Sequence, residues 1–348
     1  MSSEPIVASN ISHESLEKYV EEISNLPKEQ GWRPLKDLCL YQNFWFYPFF
    51  LQGALYARDH FRPRPTDIFL CSSMKTGSTW LKALSFTIAT RGSHRLDGSD
   101  PTIPLRTTVP HDCIPFLEFN EYSTTTTVAA EGSKIQLYAS HLPYTCLPKS
   151  IHDSNCRIVY ICRDPKDTFV SLWFFLKKFV SNQTKTDPDP DPDQDHDTVS
   201  LIPIEEAFDL FCKGISSYGP YWEHVLSYWE ASKRNPENIL IIKYEDMVKD
   251  TGSWVRKLAE FFGCGFSEEE EEKGVVERVV EMCSFESLRD MEVNKSGMKH
   301  EKRGKEIESS AYFRKGIVGH WRNYLSDEMG KKIDGIVEEK LRGSGFRF

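Results

Sequence analysis

Short apolar runs alternate with stretches of helical period along most of this 348-residue chain. Asp67 to Ser72 reads as a strand, and Thr79 to Ile88, apolar at helical spacing, as the helix that follows it. Ile135 to Ser140 and Arg157 to Ile161 are two more strands, the second leading into a helix over Thr168 to Phe179. Helical periodicity resumes over Ile204 to Trp229, followed by a strand at Ile239 to Ile242 and a helix at Ser253 to Phe262. Glu268 to Glu272 predicts a helix start, where carboxylates complement the positive end of the dipole, and Ser326 to Leu341 a final helix. Nearer the start, Ser12 to Ile23 has the pattern of a short amphipathic helix, with a loop around Pro27 to Pro34. Residues 91–110 read as a loop and Ile114 to Asn120 as a short helix. Strands alternating with helices predict an α/β fold: one domain, 61–345, with a central, mostly parallel sheet flanked by helices. An N-terminal helical and aromatic segment, 1–60, is expected to pack on that core.

Composition narrows the class. Hydrophobic residues make up 39% of the chain and aromatic residues 13%, as in a soluble globular protein that buries a substantial core. The formal net charge of -9 disfavours a nucleic-acid surface, so any anion site must be built locally. Nine cysteines without metal-ligand spacing read as reduced thiols of a cytoplasmic protein. The polar, acidic start from Met1 to Glu22 lacks the pattern of a secretory signal, and Phe44 to Leu51 is too short and interrupted to span a membrane. That aromatic run either lines a small-molecule pocket or packs the N-terminal segment onto the core. Residues 181–198, with aspartate at every second position from 187 to 197, are a like-charged, low-complexity insert with nothing to bury.

Three polar clusters follow strands, and in open α/β sheets ligands gather at the carboxyl ends of strands. The first is Lys75-Thr76-Gly77-Ser78-Thr79, between a strand and a helix beginning near Trp80. Such a turn aims backbone N–H groups, hydroxyls and a positive charge at one point. The G-x-x-x-x-G-K-[ST] spacing is missing, so a phosphate cradle and a structural turn with a solvated lysine both stand at this stage. The second is Cys162-Arg163-Asp164-Pro165-Lys166-Asp167, with Ser171 farther on; Arg163 offers a planar donor fork suited to phosphate. The third is His141, at the end of Ile135 to Ser140, an imidazole able to accept a proton near neutral pH. Neither Asp nor Glu adjoins it in sequence, so no orienting partner is assigned. Near the C-terminus, Tyr312-Phe313-Arg314-Lys315-Gly316 pairs two cations with a glycine that lets backbone approach an anion.

Together these motifs resemble the plant cytosolic (soluble) sulfotransferase family, over roughly residues 60–345. CSSMKTGSTWLKAL is similar to the family's P-loop-like 5′-phosphosulfate loop, CRDPKDTFVS to its 3′-phosphate motif, and YFRKGIVGHW to its C-terminal RKGxxGDW motif. The resemblance implies 3′-phosphoadenylyl sulfate (PAPS) as co-substrate, no metal, and sulfuryl transfer to a hydroxyl of a small acceptor. Lys75 would reach the bridging oxygen, while Thr76, Gly77, Ser78 and Thr79 hold the 5′ phosphate. Arg163, Ser171, Arg314, Lys315 and Gly316 would hold the 3′ phosphate. Trp80, Tyr244 and Phe285, with Cys283 near it, would surround adenine, and His141 would be the catalytic base. The implied acceptor is a flavonoid or other phenolic, a hydroxylated hormone or a desulfo-glucosinolate. Its pocket is expected around Phe44 to Tyr56, Phe116 and the start of 205–229.

Several positions depart from the family pattern. Met74 stands where proline precedes the lysine, Ala139 where animal relatives carry a lysine, and His320 in place of the aspartate of GDW. Trp321 to Glu328 matches the dimerisation motif poorly, so a monomer or weak dimer is expected. Two other classes compete: a small-molecule kinase, which needs Mg²⁺ carboxylates, and a nucleotide-binding protein without catalysis.

Overall fold

In the computed structural model, the described residues are 13–32, 37–94, 96, 100, 102–119, 135–183, 201–295 and 308–348. Seven strands are named here: β1 (Lys28–Gln30), β2 (Asp37–Tyr41), β3 (Phe44–Phe46), β4 (Asp67–Ser72), β5 (Gln136–Ser140), β6 (Arg157–Cys162) and β7 (Ile239–Lys243). The last four form one sheet in the order β5-β4-β6-β7, parallel throughout. Helices flank it. Alternate residues of each strand enter two separate cores: Phe69, Cys71, Tyr138, Tyr160 and Cys162 on one face, Ile68, Leu70, Leu137, Val159 and Ile161 on the other. Burial on both faces is why β4 and β6 read as unbroken apolar runs rather than as alternating patterns.

The strand order places a topological switch between β4 and β6. The connection leaving β4 turns to β5 on one side, and that leaving β6 turns to β7 on the other. A crevice opens between two such diverging connections, at the carboxyl ends of the strands. The Lys75 turn leaves β4 there and Arg163 leaves β6.

Other elements differ from the expectation in instructive ways. The residues around Pro27 to Pro34 include a strand: β1 pairs antiparallel with β2, and β2 with β3, in a second, three-stranded sheet. The apolar run Phe44 to Leu51 divides at Pro48, which opens the helix Pro48–His60 after β3. Proline's fixed φ suits the first helical turn, where its missing N–H costs nothing. The expected helix over Ile204 to Trp229 is two helices, Ile204–Cys212 and Tyr221–Arg234. Left-handed Gly214 and Tyr218 break the run, and Pro220 caps the second helix. Instead of a helix over Ile114 to Asn120, a short helix Pro110–Cys113 precedes a parallel bridge from Phe116 to Ala139 and a single turn at Leu117–Phe119. The helix expected from Thr168 starts at Pro165 and runs to Gln183, which brings Asp167 into its first turn. The acidic start at Glu268–Glu272 is a helix with a full capping box between Ser267 and Glu270. From residue 184 onward, the Asp/Pro insert lies outside the described residues.

Candidate functional site

Lys75 has φ of +66° and Gly77 +110°, so the chain folds back on itself between β4 and the helix Ser78–Thr90. Glycine is needed at 77 for a second reason. A Cβ there would stand 2.8 Å from Tyr244 Cδ2 and 3.0 Å from Ile161 Cδ1. The Thr76 hydroxyl points down, donating to Ser73 O at 2.9 Å and to Ile161 O at 3.1 Å, which pins the turn to β6. Gly77 caps the helix with its carbonyl, leaving the first helical N–H groups without intrahelical acceptors. Those N–H groups and the helix dipole favour an anion at the turn.

This turn forms one wall of a cavity of about 320 Å³. Gly77, Ser78, Thr79 and Trp80 come from the turn, Arg163 and Ser171 from β6 and the helix after it, and Arg314, Lys315 and Gly316 from the C-terminal segment. Lys75, Tyr244 and Phe285 complete the polar and aromatic wall. Residues as far apart in the chain as Lys75 and Gly316 thus meet around one space. Cys283 is not on that wall: its thiol is buried in the core at 3.3 Å from Thr87 Oγ1. Thr76 is not on that wall either: it is fully buried, with its hydroxyl turned to Ser73 O and Ile161 O. The sequence reading missed Val248, Thr251, Val280 and Leu288, which give the cavity its apolar side. They are unremarkable helix residues whose common direction is set by packing.

Two cations, Arg163 and Arg314, line the same cavity. Arg163 is 6% exposed, donates from Nη2 to Ile317 O at 2.8 Å, lies 3.4 Å from Asp167 Oδ2 and stacks 4.5 Å above the Tyr244 ring. Its Nε, together with Arg314 Nε and Trp80 Nε1, is buried without a hydrogen-bond partner. A buried donor without a partner is costly, so three of them around one cavity fit a polar, negatively charged occupant. Asp167 ties the C-terminal segment in place, accepting from Gly319 N at 2.6 Å and from Trp321 N at 2.9 Å. Gly316, at φ +68°, lets that segment approach Phe285, whose ring a Cβ would meet at 2.7 Å. The Gly316 carbonyl accepts from the Tyr244 hydroxyl at 3.1 Å. Arg314 Nη1 lies 3.2 Å from His320 Nδ1, so the histidine standing in the place of aspartate still touches the clamp.

Concentrated positive charge has a measurable consequence. Burial, with Arg314 and Arg163 nearby, pushes the Lys75 ammonium down to about 7. Burial likewise lowers Arg314, and burial with Arg314 and Lys315 lowers His320. An arriving anion relieves these costs.

His141 lies at the end of β5, one strand away from the Lys75 turn, and is 8% exposed. Its Nδ1 lies 2.9 Å from the Ser72 carbonyl and 3.2 Å from the Ser72 hydroxyl. A carbonyl only accepts, so the short contact places the proton on Nδ1 and the basic lone pair on Nε2. The orienting partner is therefore a backbone oxygen of the neighbouring strand. The backbone of His141 is held as firmly. Its N–H donates to Glu118 Oε1 at 2.5 Å and its carbonyl accepts from His224 Nε2 at 2.9 Å. Glu118 also accepts from Ser140 Oγ at 3.1 Å, and burial raises its carboxyl to about 7. Its only sequence signal is a single carboxylate in the apolar run Phe116-Leu117-Glu118-Phe119.

Around the imidazole runs a chain of rings. Phe116 lies 5.0 Å and Tyr218 5.6 Å from His141; Phe119 meets Phe116 at 5.2 Å; Phe50 meets Phe119 and Tyr218, each at 5.5 Å. Phe49, 46% exposed, ends the chain at the surface. The aromatic run near the start thus packs on the core and is linked to the histidine through Phe119, Phe116 and Tyr218. No group of three or more His, Cys, Asp or Glu gathers for a metal among the described residues. Among the same residues no helix is long and apolar enough to cross a membrane.

A parallel sheet with a glycine turn and a two-arginine clamp at its switch point defines an α/β protein with a built anion-binding cavity. Comparison with known proteins specifies the class. The sulfotransferase domain model matches residues 65–345. Cytosolic sulfotransferase 16 of Arabidopsis thaliana is 44% identical over 328 residues, 94% of this chain and 91% of that one. Flavonol 3-sulfotransferase of Flaveria bidentis is 46% identical over 311 residues, 88% of this chain and 92% of that one. The crystal structure of a mouse sulfotransferase complexed with PAP aligns with a TM-score of 0.59 at 25% identity, over 88% of this chain and 95% of that one. The chain belongs to the plant cytosolic, PAPS-dependent sulfotransferase family.

Proposed function

We propose that the protein transfers the sulfuryl group of PAPS to a hydroxyl of a small plant metabolite in the cytoplasm, with His141 as general base. The observation that carries this reading is the meeting of a helix-terminus anion turn and a two-arginine clamp around one cavity at the switch point, with a tautomer-fixed histidine at the end of the neighbouring strand β5. PAPS supplies a sulfuryl group on a phosphate leaving group. Gly77, Ser78 and Thr79 hold its 5′ phosphate; Arg163, Ser171, Arg314, Lys315 and Gly316 hold its 3′ phosphate. Trp80, Tyr244 and Phe285 form the adenine wall. The acceptor oxygen attacks sulfur as the bond from sulfur to the bridging phosphate oxygen breaks, and the acceptor proton passes to His141 Nε2. Lys75 offsets the charge that accumulates on the departing oxygen, where preorganised donors act most strongly.

The ring chain from Phe49 to Tyr218 supports a flat, aromatic acceptor, and flavonols come first because a relative 46% identical is a flavonol 3-sulfotransferase. Other phenolics, hydroxylated hormones and desulfo-glucosinolates follow as alternatives. The test is incubation of purified protein with PAPS and a panel of these hydroxyl compounds, read by mass spectrometry as acceptor-dependent sulfated product. Folded protein that binds PAP yet sulfates no member of the panel would favour a nucleotide-binding role without catalysis.

A further inference from the structure

The Lys75 ammonium is flanked by two aromatic faces that the anion clamp does not need. Its Nζ lies 4.3 Å from the centre of the Phe175 ring and 5.6 Å from that of Tyr312. The two rings touch each other at 5.7 Å. Phe175 comes from the helix Pro165–Gln183, where it is 8% exposed, and Tyr312 from the C-terminal segment just before Arg314. Tyr312 is backed in turn by the buried His111, stacked on it at 3.9 Å. Such a bracket is held from three parts of the chain and is not an accident of one rotamer.

We infer that Phe175 and Tyr312 are positioning residues for Lys75, their ring faces favouring the charged form of its ammonium and poising it in the donor cavity before any anion arrives. The inference rests on the reading of this cavity as the PAPS site. The physical argument is a balance. Burial and the facing guanidinium groups of Arg163 and Arg314 disfavour the charged lysine. A cation over an aromatic face is stabilised by the ring quadrupole, most strongly where water is scarce. The same cavity is also lined by Ser171, Tyr244, Glu286 and Lys315. The bracket therefore opposes the two arginines. Without it the lysine is uncharged more often in the empty cavity, and anion binding must then be coupled to uptake of a proton from solvent.

The test uses the intact protein and PAP, whose affinity needs no acceptor and no turnover. Affinity is measured by calorimetry from pH 5.5 to 9 for the wild type, Phe175→Leu, Phe175→Tyr and Tyr312→Leu. Loss of the Phe175 ring should lower the pH at which the free lysine discharges by about half a unit to one and a half units. Relative to its value at pH 5.5, affinity of Phe175→Leu at pH 8.5 should then fall about 3- to 30-fold further than that of the wild type. Phe175→Tyr should restore the wild-type profile. Tyr312→Leu, whose ring lies farther off, should give a smaller divergence of the same sign, and it keeps the test open if Phe175→Leu does not fold. Adding Lys75→Met to either leucine variant should abolish the divergence, which cancels any contribution from titration of PAP itself. A loss of affinity equal at every pH, as from a merely structural role, would overturn the inference, as would unchanged profiles in both leucine variants. Failure of the wild type to bind PAP at any pH would remove the donor-site reading, and the inference with it.

Discussion

Gly77→Ala is the sharpest probe of the phosphate turn, because two penalties arise at one atom. At φ +110° an alanine is in the left-handed half of conformational space, which costs about 1–2 kcal/mol. Its Cβ would also stand 2.8 Å from the Tyr244 ring and 3.0 Å from Ile161 Cδ1, inside van der Waals contact. Overpacking of this kind costs about 1–3 kcal/mol. The sum is about 2–5 kcal/mol, which for a chain of this length lowers Tm by roughly 3–7 °C. Relief comes by turning the loop, which misdirects its N–H groups, or by pushing Tyr244 away from its bond to Gly316 O. Either route weakens the donor site. If 1.4–2.8 kcal/mol of the strain appears in binding, PAP affinity falls about 10- to 100-fold. Calorimetric titration with PAP and a thermal melt measure the two effects. Gly335→Ala is the control: it lies in the helix Asp327–Leu341 with nothing within 4 Å of the added Cβ, and should raise Tm slightly. A Gly77→Ala protein with unchanged Tm that binds PAP within twofold of wild type would refute the cradle.

The remaining expectations concern the base, its supports and the clamp. His141→Ala should lower kcat about 10²- to 10⁴-fold while PAP affinity stays within a few-fold, because the imidazole does not line the anion cavity; equal loss of both in a folded variant would end its role as base. Glu118 has a carboxyl raised to about 7, above its unfolded value, so the folded state disfavours its ionised form and stability falls as pH rises from the ordinary carboxylate range through 7. Glu118→Gln should flatten that decline, by up to about 3 kcal/mol between pH 5 and pH 8 in urea melts. With free Lys75 titrating at about 7, PAP binding at pH 8.5 should take up close to one proton and at pH 5.5 none through this group, read from calorimetry in buffers of different ionisation enthalpy. Asp167→Asn keeps one acceptor for Gly319 N and Trp321 N but turns an amide donor toward the other and removes the charge beside Arg163. PAP affinity should drop at least tenfold, mostly through faster dissociation in stopped-flow measurements.

Much of the site was legible because its residues sit at strand ends, where a change from apolar run to polar cluster marks both the boundary and the chemistry. β4 matched its expected bounds residue for residue, and Lys75, Arg163 and His141 each follow a strand. The second sheet was not legible. β1 and β2 are short and partly exposed, and their pairing depends on partners outside each segment's own sequence. Nor could the chain order of residues reveal the orienting partner of His141. That role falls to the Ser72 backbone carbonyl, and every residue carries a carbonyl, so side-chain identity leaves no trace of it. Glu118 and Phe175 were hidden for a related reason: each is one polar or aromatic residue within an apolar context, and only direction distinguishes it from core.

By itself the amino-acid sequence determined the alternation of strands and helices, the three anion-handling motifs and the family to which they belong. These are local properties, set by side-chain period and by which groups a short segment can present. The tertiary structure alone decided that β4 and β6 are neighbours with diverging connections, so that a turn at 75–79, an arginine at 163 and a clamp at 314–316 enclose one cavity. It also decided which atoms face the cavity, turning the Thr76 hydroxyl and Cys283 thiol away and leaving Lys75 on its wall. Those outcomes depend on burial and packing between segments far apart in the chain, and no local pattern encodes them.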